Sequence, residues 1–151
     1  MPTGSCQCGA ITYRVDGEPL MTYACHCSDC QKRTGSACSM GSVFPATALH
    51  TNGELSVWER VSDGGVSKSR FSCAACGNVI YGVGSDSAEF VILQPGTLDD
   101  TSKVLPDAHI WTRSAQPWHS FAEAVPVYAT QPDNMVELLT AAMAYRATLQ
   151  S

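Results

Sequence analysis

The sequence predicts a mainly β protein closed by one C-terminal α-helix. Three observations carry that reading. Apolar and polar residues alternate with a period of two in several short runs, as half-buried strands require. Glycine and proline punctuate those runs as turns. One late segment places apolar residues at helical spacing behind a helix-start signal. The chain has 151 residues, 44% of them hydrophobic, about the commonest size for a single domain and apolar enough for an ordinary core.

Ile11, Tyr13 and Val15 alternate with Thr12 and Arg14 and form the first strand. Gly17-Glu18-Pro19 turns the chain, and Leu20 to Ala24 runs on from it. Leu55 to Trp58 and Ser67 to Phe71 give two further strands, separated by the turn signal Asp63-Gly64-Gly65. Asn78 to Val83 alternates again, with Val79, Tyr81 and Val83 on one face. Phe90-Val91-Ile92-Leu93 is brief and stops at Pro95-Gly96, so its length favours a buried strand over a helix. Pro132-Asp133-Asn134 starts the helix, and Asn134 with Glu137 fits a capping box. Met135, Leu138, Leu139, Ala142, Tyr145 and Leu149 then make an apolar stripe. That stripe packs on the sheet or on a partner subunit, the second option making a homodimer. Residues 1–125 are thus the β body, and residues 126–151 a C-terminal extension that carries the helix within the same unit.

The formal charge is −5, and cysteine thiolates around metal ions would make it more negative. Such a chain lacks the footprint that neutralises phosphates, which predicts no nucleic-acid partner. No apolar run reaches the roughly 18 residues a membrane span needs, so no membrane partner is expected. Met1-Pro2-Thr3-Gly4-Ser5-Cys6 has neither the charged nor the apolar region of a signal peptide. The expected compartment is cytoplasmic, where thiols stay reduced and clustered cysteines read as metal ligands.

Seven of the eight cysteines form three clusters: Cys6-x-Cys8, Cys25-x-Cys27-x-x-Cys30 and Cys73-x-x-Cys76. The first and last are knuckles ending in Gly9 and Gly77. Together they offer four thiolates, a full tetrahedral Zn²⁺ shell that would staple distant parts of the chain. The plain alternative is two unrelated pairs of buried thiols. The middle cluster offers three thiolates and leaves one position for water or substrate, as a catalytic zinc requires. Cys38, His26 or a distant histidine would instead close that shell and make it structural. His26, between two ligands, points away from the metal in this reading and supports it from outside. Two Zn²⁺ per chain are expected.

Longer stretches resemble a known family. Gly4-Ser5-Cys6-Gln7-Cys8-Gly9-Ala10-Ile11-Thr12-Tyr13, Cys25-His26-Cys27-Ser28-Asp29-Cys30-Gln31-Lys32-Arg33-Thr34-Gly35-Ser36 and Arg70-Phe71-Ser72-Cys73-Ala74-Ala75-Cys76-Gly77 resemble the glutathione-dependent formaldehyde-activating enzymes, a family that includes centromere protein V. Gly96 to Asp100 and Pro106 to Trp118 fit it too, and Gln31 stands where an arginine is usual. The resemblance implies an Mss4-like fold of small coiled antiparallel sheets stapled by zinc. It matches Cys6, Cys8, Cys73 and Cys76 to the structural ligands, and Cys25, Cys27 and Cys30 to the catalytic ones. It also implies carbon–sulfur bond chemistry between a thiol such as glutathione and a small aldehyde such as formaldehyde, in either direction.

A lyase or synthase of that kind needs an acid/base to move a proton at the new hydroxyl. By residue type the candidates are Asp29 and His109, with Asp99 and His119 behind them. Lys32, Arg33 and Arg113 are candidates to receive substrate carboxylates, and Trp118 and Trp111 to wall the pocket. The ordinary roles of such residues are solvated surface for the charges and core packing for the rings. The competing function is a zinc-stabilised, non-catalytic module that binds another protein.

Overall fold

The structure, a computed structural model, describes residues 1–149. In chain order the strands are β1 (Thr3–Ser5), β2 (Thr12–Val15), β3 (Met21–Cys25), β4 (Ser39–Pro45), β5 (Leu49–Asn52), β6 (Leu55–Val61), β7 (Ser67–Cys73), β8 (Val79–Gly84), β9 (Phe90–Leu93) and β10 (Ala108–Ile110). The helices are α1 (Ser28–Thr34) and α2 (Met135–Leu149). The protein is mainly β with a C-terminal helix, as its sequence predicts. Its contacts gather into two compact units, one of Met1–Pro19 with Ser42–Val104, the other of Leu20–Gly41 with residues 105 onward.

In the first unit β1 pairs antiparallel with β2, and β2 with β5. The strands β6, β7, β8 and β9 form an antiparallel meander, and β9 pairs on with β4. The alternation expected in β2 is realised: Tyr13 and Val15 are buried while Thr12 and Arg14 face solvent. They join Ile11, Phe44, Ile80, Val91 and Leu93 in one core that also holds Cys6 and Cys73. In β8 the fully covered face is Ile80, Gly82 and Gly84, and the expected face of Val79, Tyr81 and Val83 is half-buried. The reason is local. Arg70 lies across Gly82, where a Cβ would collide with its guanidinium, and Tyr81 stacks on Phe71 at 4.4 Å between centroids. Arg70 thus closes the glycine face, while Tyr81 and Val83 on the other face pack against the edge of the core.

In the second unit β3 pairs parallel with β10, aligning Ala24 with His109. Four of the five β3 residues are buried, the near-continuous burial of a strand covered on both faces. The helix α2 packs on β3 and β10 through Leu138, Ala142 and Tyr145, which recur at helical spacing. Met135 and Leu149, also in the expected stripe, are about half exposed. Asn134 caps the helix by accepting from the Val136 amide at 2.9 Å. The short helix α1 has no counterpart in the hydrophobic pattern, because it buries no residue. It is fixed at its ends instead: the Cys27 sulfur accepts from the Cys30 amide, and Gly35 stops it at φ 65°.

Candidate metal centres

Each unit carries one cysteine cluster. In the first, the sulfurs of Cys6, Cys8, Cys73 and Cys76 all lie within 4.8 Å of one another. The same knuckle occurs twice. Gly9 N–H donates to the Cys6 carbonyl at 3.0 Å and Gly77 N–H to the Cys73 carbonyl at 2.9 Å. Both glycines have positive φ, 80° and 73°, a conformation that other L-residues adopt at a cost. Asn78 ties the knuckles together by accepting from the Gln7 amide at 3.1 Å. Cys8 stands 3.5 Å from Cys6 and 3.8 Å from Cys73, sulfur to sulfur. Sulfurs around a tetrahedral zinc are about 3.8 Å apart for a Zn–S bond of about 2.3 Å, so the set fits such an ion. Cys6 and Cys73 are buried and Cys8 and Cys76 exposed, a cluster at the rim of the core.

In the second unit the sulfurs of Cys25, Cys27 and Cys30 also lie within 4.8 Å of one another. Cys25 ends β3, Cys27 caps α1 and Cys30 sits in its first turns. Strand, cap and helix thus aim three thiols at one point. Charge is shared unevenly between them. Cys30 is lowered to about 6, chiefly by the hydrogen bond from the Cys25 thiol and further by Cys27 and the Arg33 guanidinium. Cys25 is pushed far up, first by that same bond and then by burial. A soft, anion-ready sulfur set of this kind suits zinc. Cys38 is half-buried and does not join it. Among the described residues, no histidine or carboxylate supplies a fourth donor to this group either.

The other site residues expected from sequence are placed as follows. Asp29 is exposed in the first turn of α1, and Lys32 is exposed in its last turn. Arg33 is half-buried, donates to Ser39 Oγ and lends its charge to Cys30. Arg113 is exposed, with its guanidinium carbon 4.9 Å from the centre of the Trp111 ring. Trp111 itself is left-handed at φ 57°, an outlier that costs about 1–2 kcal/mol in a residue with a Cβ. Trp118 is 71% exposed. Asp99 is engaged by the Thr3 hydroxyl at 2.6 Å.

His109 lies elsewhere than the sulfurs. It is buried, and its Nδ1 is 2.9 Å from Nε2 of the fully buried His26. His119 approaches both rings, at 4.6 Å from His26 and 5.6 Å from His109 between centroids. Burial, then the neighbouring imidazoles, lowers His109 to about 4. This trio is what sequence reasoning missed, for its members come from separate segments. The available signal was the alternation in Cys25-His26-Cys27, which turns His26 away from the two flanking sulfurs.

A β protein whose two units each hold a converging thiol cluster has the donor sets that could hold metal ions, four sulfurs in one unit and three in the other. The sequence pattern described as "Glutathione-dependent formaldehyde-activating enzyme" matches residues 1–114, and the chain belongs to that family. The crystal structure of a Rhodobacter sphaeroides protein is similar, with a TM-score of 0.52 and 19% identity over 69% of this chain and 91% of that one; the likeness is one of fold. No curated protein matches the chain in sequence. No helix of the described residues is long and apolar enough to cross a membrane.

Proposed function

We propose that this protein is a zinc-dependent carbon–sulfur lyase or synthase acting on the adduct of a glutathione-type thiol with a small aldehyde, such as S-hydroxymethylglutathione. The observation that carries the reading is the unequal sulfur count: four converging thiols in one unit and three in the other. Cys6, Cys8, Cys73 and Cys76 would hold a structural zinc, and Cys25, Cys27 and Cys30 a second one. A zinc held by these three thiols would supply a Lewis acid that makes a substrate thiol easier to deprotonate.

The reaction forms one C–S bond as the sulfur attacks the aldehyde carbon, and the carbonyl oxygen takes up a proton to become the hydroxyl. The reverse reaction removes that proton and expels the thiolate. Asp29 is the group in this chain to which we assign the proton, because it lies between Cys27 and Cys30 in sequence and stays open to solvent. His109, packed beneath His26 and Phe121, is less accessible to an entering substrate. Arg33 offsets negative charge at Cys30. Lys32 and Arg113 are assigned to the carboxylates of a glutathione-type tripeptide, and Trp118 to a wall of the pocket. The family membership supports the thiol and aldehyde classes. A reduced, cytoplasmic setting follows from the need to keep seven thiols unoxidised.

The test is the Co²⁺-substituted protein titrated with glutathione, then with formaldehyde. The thiolate-to-cobalt absorption of the three-sulfur set should shift on addition of glutathione and shift again with aldehyde. A spectrum unmoved by any thiol would overturn the enzyme reading and favour a non-catalytic binding module.

A further inference from the structure

We propose that His26, His109 and His119 form an additional metal site, which takes a divalent first-row transition ion of the Zn²⁺ type and leaves its remaining coordination to water or a small anion. The proposal stands apart from the function proposed above and uses none of the cysteines.

The three rings each present a nitrogen within 4.8 Å of the other two. The closest pair, His26 Nε2 and His109 Nδ1, is 2.9 Å apart. Imidazole nitrogens bound at about 2.0–2.1 Å to one tetrahedral ion stand about 3.3 Å from each other, a spacing within reach of rings whose nitrogens already lie within 4.8 Å. The chain alone does not satisfy the group. His26 is wholly buried, yet its Nδ1 has no hydrogen-bond partner. A hydrogen bond between His26 and His109 occupies Nε2 and leaves Nδ1 orphaned in either tautomer. An ion coordinated through Nδ1 would satisfy that atom, as no residue does.

The backbone also holds the ligands as a site requires. His109 is fixed on both sides, its N–H donating to Pro126 and its carbonyl accepting from Tyr128. His26 N–H donates to Ile110, and His119 N–H to Gln116. Phe121 packs edge-on against His26 and His109, at 5.7 and 4.9 Å, and 5.0 Å from His119, making a dry wall. His119 is only half-buried and gives an entry path. All three donors are nitrogen, which selects Zn²⁺, Cu²⁺, Ni²⁺ or Co²⁺ over Mg²⁺ and Ca²⁺.

The test is Co²⁺ loading of the full chain, followed by absorption and by metal counting after dialysis. The wild type should bind one equivalent more than its thiolate-to-cobalt absorption accounts for. His119→Ala, at the half-exposed position, should lose that equivalent, weakening it beyond the ~10–100-fold typical of an outer-shell change, and keep every thiolate band. If the function proposed above fails, the thiolate bands do not move with glutathione, and the nitrogen-only equivalent still binds. A second measurement needs no variant: ¹⁵N spectra of the wild-type imidazoles, where added Zn²⁺ should move the ring nitrogens of His26, His109 and His119. Equal metal content in wild type and His119→Ala, or ring nitrogens unmoved by Zn²⁺, would overturn the site.

Discussion

The side-chain amide of Gln116 donates to Oε1 of Gln31 at 2.8 Å, while Gln31 Nε2 donates to the carbonyls of His26 at 2.7 Å and Ser114 at 2.9 Å. Gln31 belongs to α1, the helix that carries Cys30, and its partners lie on the segment before that helix and on the 114–116 loop. One amide therefore spends its donors and its acceptor holding the three-sulfur set against that loop. Gln31→Leu removes all three bonds and should destabilise the protein by about 1–3 kcal/mol in urea unfolding. Gln31→Arg keeps donors for both carbonyls and should cost clearly less. Equal losses in the two variants would show that the carbonyl contacts contribute nothing.

A buried carboxylate anchors the C-terminal helix. Asp107, 2% exposed, accepts from the Thr22 amide at 2.7 Å and from Arg146 Nε at 3.0 Å. Arg146→Ala leaves that charge buried with its guanidinium partner gone, and should cost about 3–5 kcal/mol. In Asp107→Asn the charge leaves with the carboxylate, so the loss should be smaller. Thermal melts of both variants and of the double variant measure the coupling.

The two sulfur sets should fail differently. Cys76→Ser takes one donor from the four-sulfur set at the rim of the first unit's core, and should unfold the domain because the energy of a zinc bound there would be folding energy. Cys27→Ser removes a ligand from the three-sulfur set but keeps an oxygen that caps helices well. Circular dichroism should then show an intact fold, while turnover of S-hydroxymethylglutathione falls to background. Strong chelation should reproduce the Cys76→Ser behaviour. Two variants that unfold alike would contradict the proposed division of labour.

Acid should weaken the fold through His109. Its folded-state value, lowered to about 4 by burial and by His26 and His119, lies below the ordinary value near 6.5. The unfolded chain thus binds the proton first as pH falls. The stability contribution is complete above pH 6.5 and is lost progressively as pH falls from 6.5 to 4. His26, lowered chiefly by burial, adds in the same direction. Urea midpoints at pH 7 and pH 5 test this; a higher midpoint at pH 5 would refute it.

Much of the β body could be read from the chain. A period-two run placed β2 closely, a brief apolar run stopped by Pro95-Gly96 placed β9, and Asp63-Gly64-Gly65 does separate β6 from β7. The capping residue of α2 was legible because Asn134 acts locally. Val79, Tyr81 and Val83 do share one face of β8, but its half-buried state was not legible, since Phe71 on Tyr81 is a contact from another strand. The short helix α1 gave no signal either, for it has no apolar stripe and owes its bounds to a sulfur cap and a glycine.

By itself the sequence determined which thiols are close neighbours, because a cysteine two or three positions from the next has few other places to go. It also determined the strand and helix periods, which follow from backbone geometry. Only the tertiary structure brought Cys6 and Cys8 to Cys73 and Cys76, and gathered His26, His109 and His119 around one point. Those meetings join residues tens of positions apart, and the physical reason is that pairing of strands and burial of the core fix them, while no local preference records the partner.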